Sequence, residues 1–269
     1  MRNSHSPRRL LVYFALPFTC SWTCWLLAPV VNDHSSFVGR ALFFPGGFGP
    51  SLAAVAVVGM SSGRAGLRTW LTGCLQWRGS WDWMTLACLA PLAVLALAVA
   101  IYIALVGVLP PSPAVGHVAL LLAIFGLVFL VGGPLGEEFG WRIYALPAMQ
   151  LHIGWRNASL VLGVIWGMWH LPLFFVAGSS QYQGSIAAFF VLIVATAVFY
   201  SWLLNRSAGS VVPVLPLHTA SNSWPSVIPI LSSNADQRPY LLVIGIVVIT
   251  AIWLLCRRER HESKRALAS

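Results

Sequence analysis

The sequence predicts an all-α integral membrane protein with eight transmembrane helices and both termini on the cytoplasmic side. Three observations carry that prediction. At 58% hydrophobic and 9% charged, with a mean hydropathy of +0.79, the 269 residues hold too few charges to cover a soluble globule. Apolar stretches close to the roughly 20 residues that cross a hydrocarbon core recur along the chain. The basic residues gather on one side of those stretches, as topology signals do.

The first stretch, 10–30, follows Arg2, Arg8 and Arg9 much as the apolar core of a signal peptide would. It is long and Trp-rich, and it runs into Pro29, Asp33 and His34 without a small-residue cleavage site, so it reads as a retained first helix. A second span covers 41–61. From 64 to 80, Leu67, Trp70, Leu71, Cys74 and Leu75 recur at helical spacing with Arg64, Arg68 and Arg78 around them, the pattern of an interfacial helix anchored on the lipid surface. Spans three to six are expected at 82–108, 117–136, 157–177 and 185–204. The seventh, 211–230, carries Pro213, Pro216, Pro225 and Pro229 together with His218 and Asn222, so it must be sheltered by other helices or line a cavity. The eighth covers 239–256 and ends in a basic tail, 257–269.

With that count, fourteen of the sixteen basic residues lie on the side of the termini, leaving Arg40 and Arg238 opposite. The formal charge of +9 is thereby explained as topology, and no nucleic-acid motif accompanies it. Five cysteines without a CxxC spacing read as small buried thiols rather than a redox or metal centre. No linker, repeat period or low-complexity tract marks a second domain, so 1–269 is expected to be a single membrane domain in a cell membrane, with a catalytic block over about 132–222.

That block begins at GGPLGEEFGWR, where Glu137, Glu138 and Arg142 border membrane-length apolar sequence. Charges in that position are a functional-site hypothesis by default. Adjacent helical residues diverge by about 100°, so the two glutamates cannot face one partner. Glu138, four residues before Arg142, has the favoured order for a helical ion pair. Glu137 then projects elsewhere, and partial desolvation beside a negative neighbour suits it to accept a proton from water. Of seven histidines, His170 and His218 fall inside spans. His170 has Trp166 one turn before it and Pro172 two residues after; His218 and Asn222 share one helix face. Convergent donors in a dry site are what the oxyanion of amide hydrolysis requires, and a carboxylate with an imidazole can activate water.

Two other chemistries use the same side chains. Glu137, His170 and His218 are also zinc-ligand types, although no HExxH helix is present and a metal site would have to be assembled from separate helices. Intramembrane Glu, Arg and His with Pro-broken helices also suit a proton relay or transporter, against which stands the lack of an internal repeat.

At these residues the chain resembles the CPBP family of CAAX-endopeptidase and bacteriocin-processing intramembrane proteases, whose motifs are EExxxR, FxxxH and HxxxN. The first matches Glu137, Glu138 and Arg142; the second aligns at Trp166 and His170, with Trp in place of Phe; the third matches His218 and Asn222. GPSLAA at Gly49 to Ala54 is also similar to the family. The resemblance implies an eight-helix membrane fold with a conical cavity open to the cytosol, and cleavage of a peptide or lipid-modified peptide near the membrane face. It further implies that Glu137 and His170 activate water, His218 and Asn222 stabilise the oxyanion, and Glu138 and Arg142 support the site. Both zinc-dependent and metal-free mechanisms are described for the family, and its bacterial members include self-immunity proteins that need not cleave anything. The Trp166 departure, aromatic for aromatic, is expected to alter packing more than chemistry.

A straight-helix ruler separates these groups. His170 lies fourteen residues past Arg156, about 20 Å deeper than a Glu137 at the cytoplasmic end of the fourth span. Convergence therefore requires the fourth helix to tilt and continue past Gly132, Gly133 and Pro134, with the segment to Arg156 partly embedded.

Overall fold

The computed structural model describes residues 7–31, 37–77, 81–108, 120–226, 228 and 236–257. Every regular element among them is helical. Five helices are long and apolar enough to cross a membrane, or six if one bent pair counts as a span.

Where the apolar sequence is uninterrupted, the helices follow the expected spans closely: α1 (Pro7–Val31), α4 (Trp81–Val106), α8 (Ile186–Arg206) and α10 (Arg238–Cys256). The middle of the chain departs from a simple series of rods. The second expected span is a bent pair, α2 (Phe37–Gly46) and α3 (Gly49–Leu75), joined by a turn at Gly47–Phe48 and angled at 58°. Inside α3 the backbone breaks again at Gly63, whose φ of 64° is a left-handed conformation that glycine adopts without steric cost. That break separates the transmembrane part from the 64–75 segment. This segment does more than float on lipid: Leu67, Trp70 and Cys74 turn inward, and Trp70 packs edge-on against Phe139 at 6.5 Å.

The expected fourth helix does not continue past its glycines. It stops at the end of α5 (Leu121–Val131); residues 117–119 lie outside those described. Gly133, at φ 118°, redirects the chain into α6 (Pro134–Glu138), which runs through a π-helical turn, Phe139–Ala145, into α7 (Leu146–Trp169). Proline at the first position of α6 suits a helix start, since its missing N–H would be unpaired there. A further break at Gly154, φ 72°, divides α7 into a short first part and a longer second part ending at His170. The segment between the two breaks is partly embedded in protein, as convergence requires: Trp141, Arg142, Ala145 and Leu146 are fully buried, while Leu151, His152 and Ile153 are exposed.

Close backbone approaches seat this segment. A Cβ on Gly136 would strike the Gly47 carbonyl, and one on Gly140 would strike the Pro50 carbonyl, so α6 and the π turn lie directly on the bend between α2 and α3. Ser51 adds a hydrogen bond to the Leu135 carbonyl at 2.9 Å. On the other side, Gly163 and Gly167 form a GxxxG stripe on α7. A methyl added at Gly163 would stand 2.8 Å from the α8 backbone, so the two helices approach as closely as small-residue stripes allow in membranes.

The seventh expected span contains only a ten-residue helix, α9 (Val214–Ser223), followed by a 3₁₀ turn, Trp224–Ser226; most of 227–235 lies outside the described residues. Its shelter is as the prolines demand, since α9 packs on α4, α5, α6 and α8. At the start of α10, Asp236 accepts hydrogen bonds from Arg238 and from the Tyr102 hydroxyl, which hold its carboxyl well below the usual carboxylate range.

Candidate active site

Four separate segments deliver the polar residues to one place. Glu137 comes from α6, Arg142 from the π turn, Trp166 and His170 from the end of α7, and His218 from α9. Glu137, Glu138, Arg142, His170 and His218 are all buried.

The two glutamates diverge, as adjacent helical positions must. Glu137 Oε2 accepts a hydrogen bond from the Trp166 indole Nε1–H at 2.5 Å. Glu138 Oε1 accepts one from His218 Nδ1–H at 2.7 Å, and its Oε2 faces Arg142 Nε at 3.4 Å. The Glu138–Arg142 pair is fully buried rather than sitting at a helix end near water. The Arg142 nitrogens have no hydrogen-bond partner among the described residues, and the guanidinium lies instead over aromatic rings, 4.0 Å from the Trp166 ring centre and 5.1 Å from that of Tyr200.

Hydrogen-bond partners fix how the imidazoles present themselves. A carbonyl can only accept, so His170 Nδ1, 2.8 Å from the Trp166 carbonyl, carries the proton and Nε2 keeps its lone pair. His218 Nδ1 likewise donates to Glu138, leaving its Nε2 for another partner.

Gly133 marks where these groups meet. A methyl there would stand 2.6 Å from Glu137 Oε1 and 3.2 Å from His218 Nε2, so those two atoms are no more than about 6 Å apart. The ruler conflict is resolved by the breaks at Gly133 and Gly154. His170 reaches the same cluster through Trp166, which bonds Glu137 by its side chain and His170 by its carbonyl.

Asn222 stands apart from this inner group. It is exposed, and its Nδ2 donates to the Gly132 carbonyl at 3.0 Å, closing a backbone acceptor left open by the end of α5. One of its two N–H groups is thus engaged and the other is available at the rim.

Among the described residues, no group of three or more His, Cys, Asp or Glu side chains is arranged to hold a metal ion. Glu137 Oε2 is turned to the indole and both Nδ1 atoms are committed as donors, so Glu137 Oε1 and the two Nε2 atoms are the groups left to bind a metal.

Trp166 is the feature that sequence reasoning undervalued. Expected to alter packing, it supplies a hydrogen bond that phenylalanine cannot make, because only the indole has a donor. Tyr200, packed against His218 at 5.6 Å, and Phe189, packed against His170 at 5.2 Å, were also unmarked; nothing in their spacing distinguishes them from other α8 core residues.

Comparison with known proteins meets this geometry at the same residues. Residues 119–224 match the Rce1-like family, described as type II CAAX prenyl endopeptidase Rce1-like. CAAX prenyl protease 2 of Methanococcus maripaludis is 33% identical over 92 residues, a stretch covering 32% of this chain and 34% of that relative. The match thus spans about a third of the curated relative's length. The matched block contains all three motifs and the cluster they form, and over that block the chain is similar to type II CAAX prenyl endopeptidases.

Proposed function

We propose that the protein is an intramembrane endopeptidase that hydrolyses a peptide bond in a membrane-associated, prenylated or bacteriocin-type peptide. The observation that carries this reading is the convergence of Glu137 Oε1 and His218 Nε2, from α6 and α9, at the Gly133 backbone, with His170 joined to Glu137 through Trp166. In this reading Glu137 takes a proton from a water molecule that His170 Nε2 helps to orient. The water oxygen forms a bond to the scissile carbonyl carbon, and the carbonyl oxygen becomes an oxyanion. His218 Nε2, when protonated, and the remaining Asn222 N–H stabilise that charge. Collapse breaks the C–N bond, and the proton held by Glu137 passes to the leaving amine. Glu138 and Arg142 position His218 by the hydrogen bond to its Nδ1 and by the packing of the π turn.

The same reading includes a single membrane domain crossing the bilayer eight times, with both termini cytoplasmic and residence in a bacterial cytoplasmic membrane. The 49-residue helical stretch Leu121–Trp169 is long enough in total to supply two crossings. Its partners are the peptide substrate and the bilayer.

The deciding measurement is cleavage of a prenylated, internally quenched peptide by purified protein in lipid nanodiscs. Glu137→Gln keeps the side-chain shape and removes the base, so turnover is expected to fall by at least about a hundredfold while substrate binding persists. Undiminished cleavage would sink the base assignment. No cleavage by the wild-type protein of any prenylated or bacteriocin-type peptide, with protection retained in cells, would favour a non-proteolytic immunity protein. Elemental analysis before and after chelation addresses zinc: the proposed chemistry expects activity to survive in metal-depleted protein.

A further inference from the structure

We propose that Trp166 is a positioning residue that sets both water-activating groups, its indole N–H fixing the Glu137 carboxylate while its carbonyl fixes the tautomer of His170. The inference rests on the proteolytic reading and adds a part that the FxxxH pattern cannot supply, because phenylalanine has no donor.

The placement of this one residue is the argument. Trp166 and His170 lie four apart on α7, so side chain and carbonyl face the same interior. The indole N–H meets Glu137 Oε2 at 2.5 Å, leaving Oε1 turned toward Gly133 and His218 Nε2. With Oε2 occupied, the carboxylate cannot rotate about its terminal torsion without losing a charge-assisted bond, so Oε1 is the oxygen presented for proton transfer. The ring itself is packed by three neighbours. Arg142 lies 4.0 Å over its centre, while Tyr200 and His218 pack against it at 5.9 Å and 5.7 Å. The Trp166 side chain is 4% exposed, so water does not compete for the N–H. Gly167 beside it admits Phe190 of α8, whose ring stands 3.0 Å from where a methyl would be, and this packing fixes the α7 backbone that carries the carbonyl to His170.

The test separates the hydrogen bond from the shape of the ring. Amber suppression can place 3-benzothienylalanine at 166, which keeps the bicyclic outline and replaces N–H by sulfur. Loss of a hydrogen bond to a charged group predicts a fall in kcat of about tenfold to a hundredfold with KM held within about twofold. Trp166→Phe is expected to show the same kcat loss, with an added change in KM from the space it opens. An unchanged kcat in the benzothienyl variant overturns the proposal. A second readout does not depend on turnover. In ¹⁵N-indole spectra, the resonance that disappears in Trp166→Phe should be displaced downfield in the wild type and move upfield in Glu137→Gln, where a neutral amide replaces the carboxylate. The other twelve indoles should stay in place and report an intact fold. A Trp166 resonance indifferent to Glu137→Gln refutes the contact. If the resonance moves but no protein variant cleaves peptide, the proteolytic reading fails while the positioning of Glu137 stands.

Discussion

Glu138 and Arg142 are both fully buried, and burial governs what they contribute. Taking two charges out of water costs nearly as much as their attraction returns, so the intact pair adds little net stability. Removing one partner strands the other in a dry interior, which costs about 3–5 kcal/mol. Glu138→Ala and Arg142→Ala are each expected to lower unfolding stability by about that amount, whereas the double variant should lose less than the sum. Chemical unfolding in detergent, run as a double-mutant cycle, measures the coupling; additive losses would show that the pair does not act as one unit. At this scale much was legible in sequence. The divergence of two adjacent carboxylates follows from helical geometry alone, and so does the shared face of Trp166 and His170. What the sequence could not show was depth: an EExxxR spacing is the same at a wet helix end as in a sealed interior. The indole bond to Glu137 was hidden for a related reason, since it depends on where two distant segments come to rest.

Helices written as uninterrupted apolar runs, such as α4, α8 and α10, were readable within about two residues, because hydropathy reports length directly. The breaks were not. Glycine pairs are common inside membrane helices, and neither Gly133 nor Gly154 announces a positive φ; those conformations are selected by what the rest of the fold must reach. The two positions make a controlled comparison. A side chain at either meets positive-φ backbone strain of about 1–3 kcal/mol. At Gly154 nothing lies within 4 Å of the added methyl, but at Gly133 it would press on Glu137 Oε1 and His218. Gly154→Ala should therefore lower stability modestly and leave kcat nearly intact, while Gly133→Ala should lower kcat by at least about tenfold. Parallel thermal unfolding and peptide-cleavage assays decide it, and equal kcat losses at both sites would refute the local role of Gly133. The GxxxG stripe at Gly163 and Gly167 could have been found in sequence, yet its partner helix could not.

For the whole molecule, the proposed eight-crossing topology makes a prediction of its own. Green fluorescent protein fused after the basic tail should fluoresce, and alkaline phosphatase at the same point should be inactive. Phosphatase inserted within 109–119 should be active. An active phosphatase at the C-terminal fusion would require an odd number of crossings or an inverted orientation. Such a topology leaves α5 with one task and α6 with another, and the turn at Gly132–Gly133 gives the two helices different directions. The direction of Glu137 is set by Gly136 and Gly140 resting on the Gly47–Pro50 backbone, not by the rotation of α5. One residue gained or lost in α5 would swing that helix by about 100° and move it about 1.5 Å. That change would fall first on the contacts of α5 with α9 and α6. The carboxylate is thus aimed by the α2–α3 bend, while α5 is tied to the other half of the site through its packing on α9 and the Asn222 bond to Gly132.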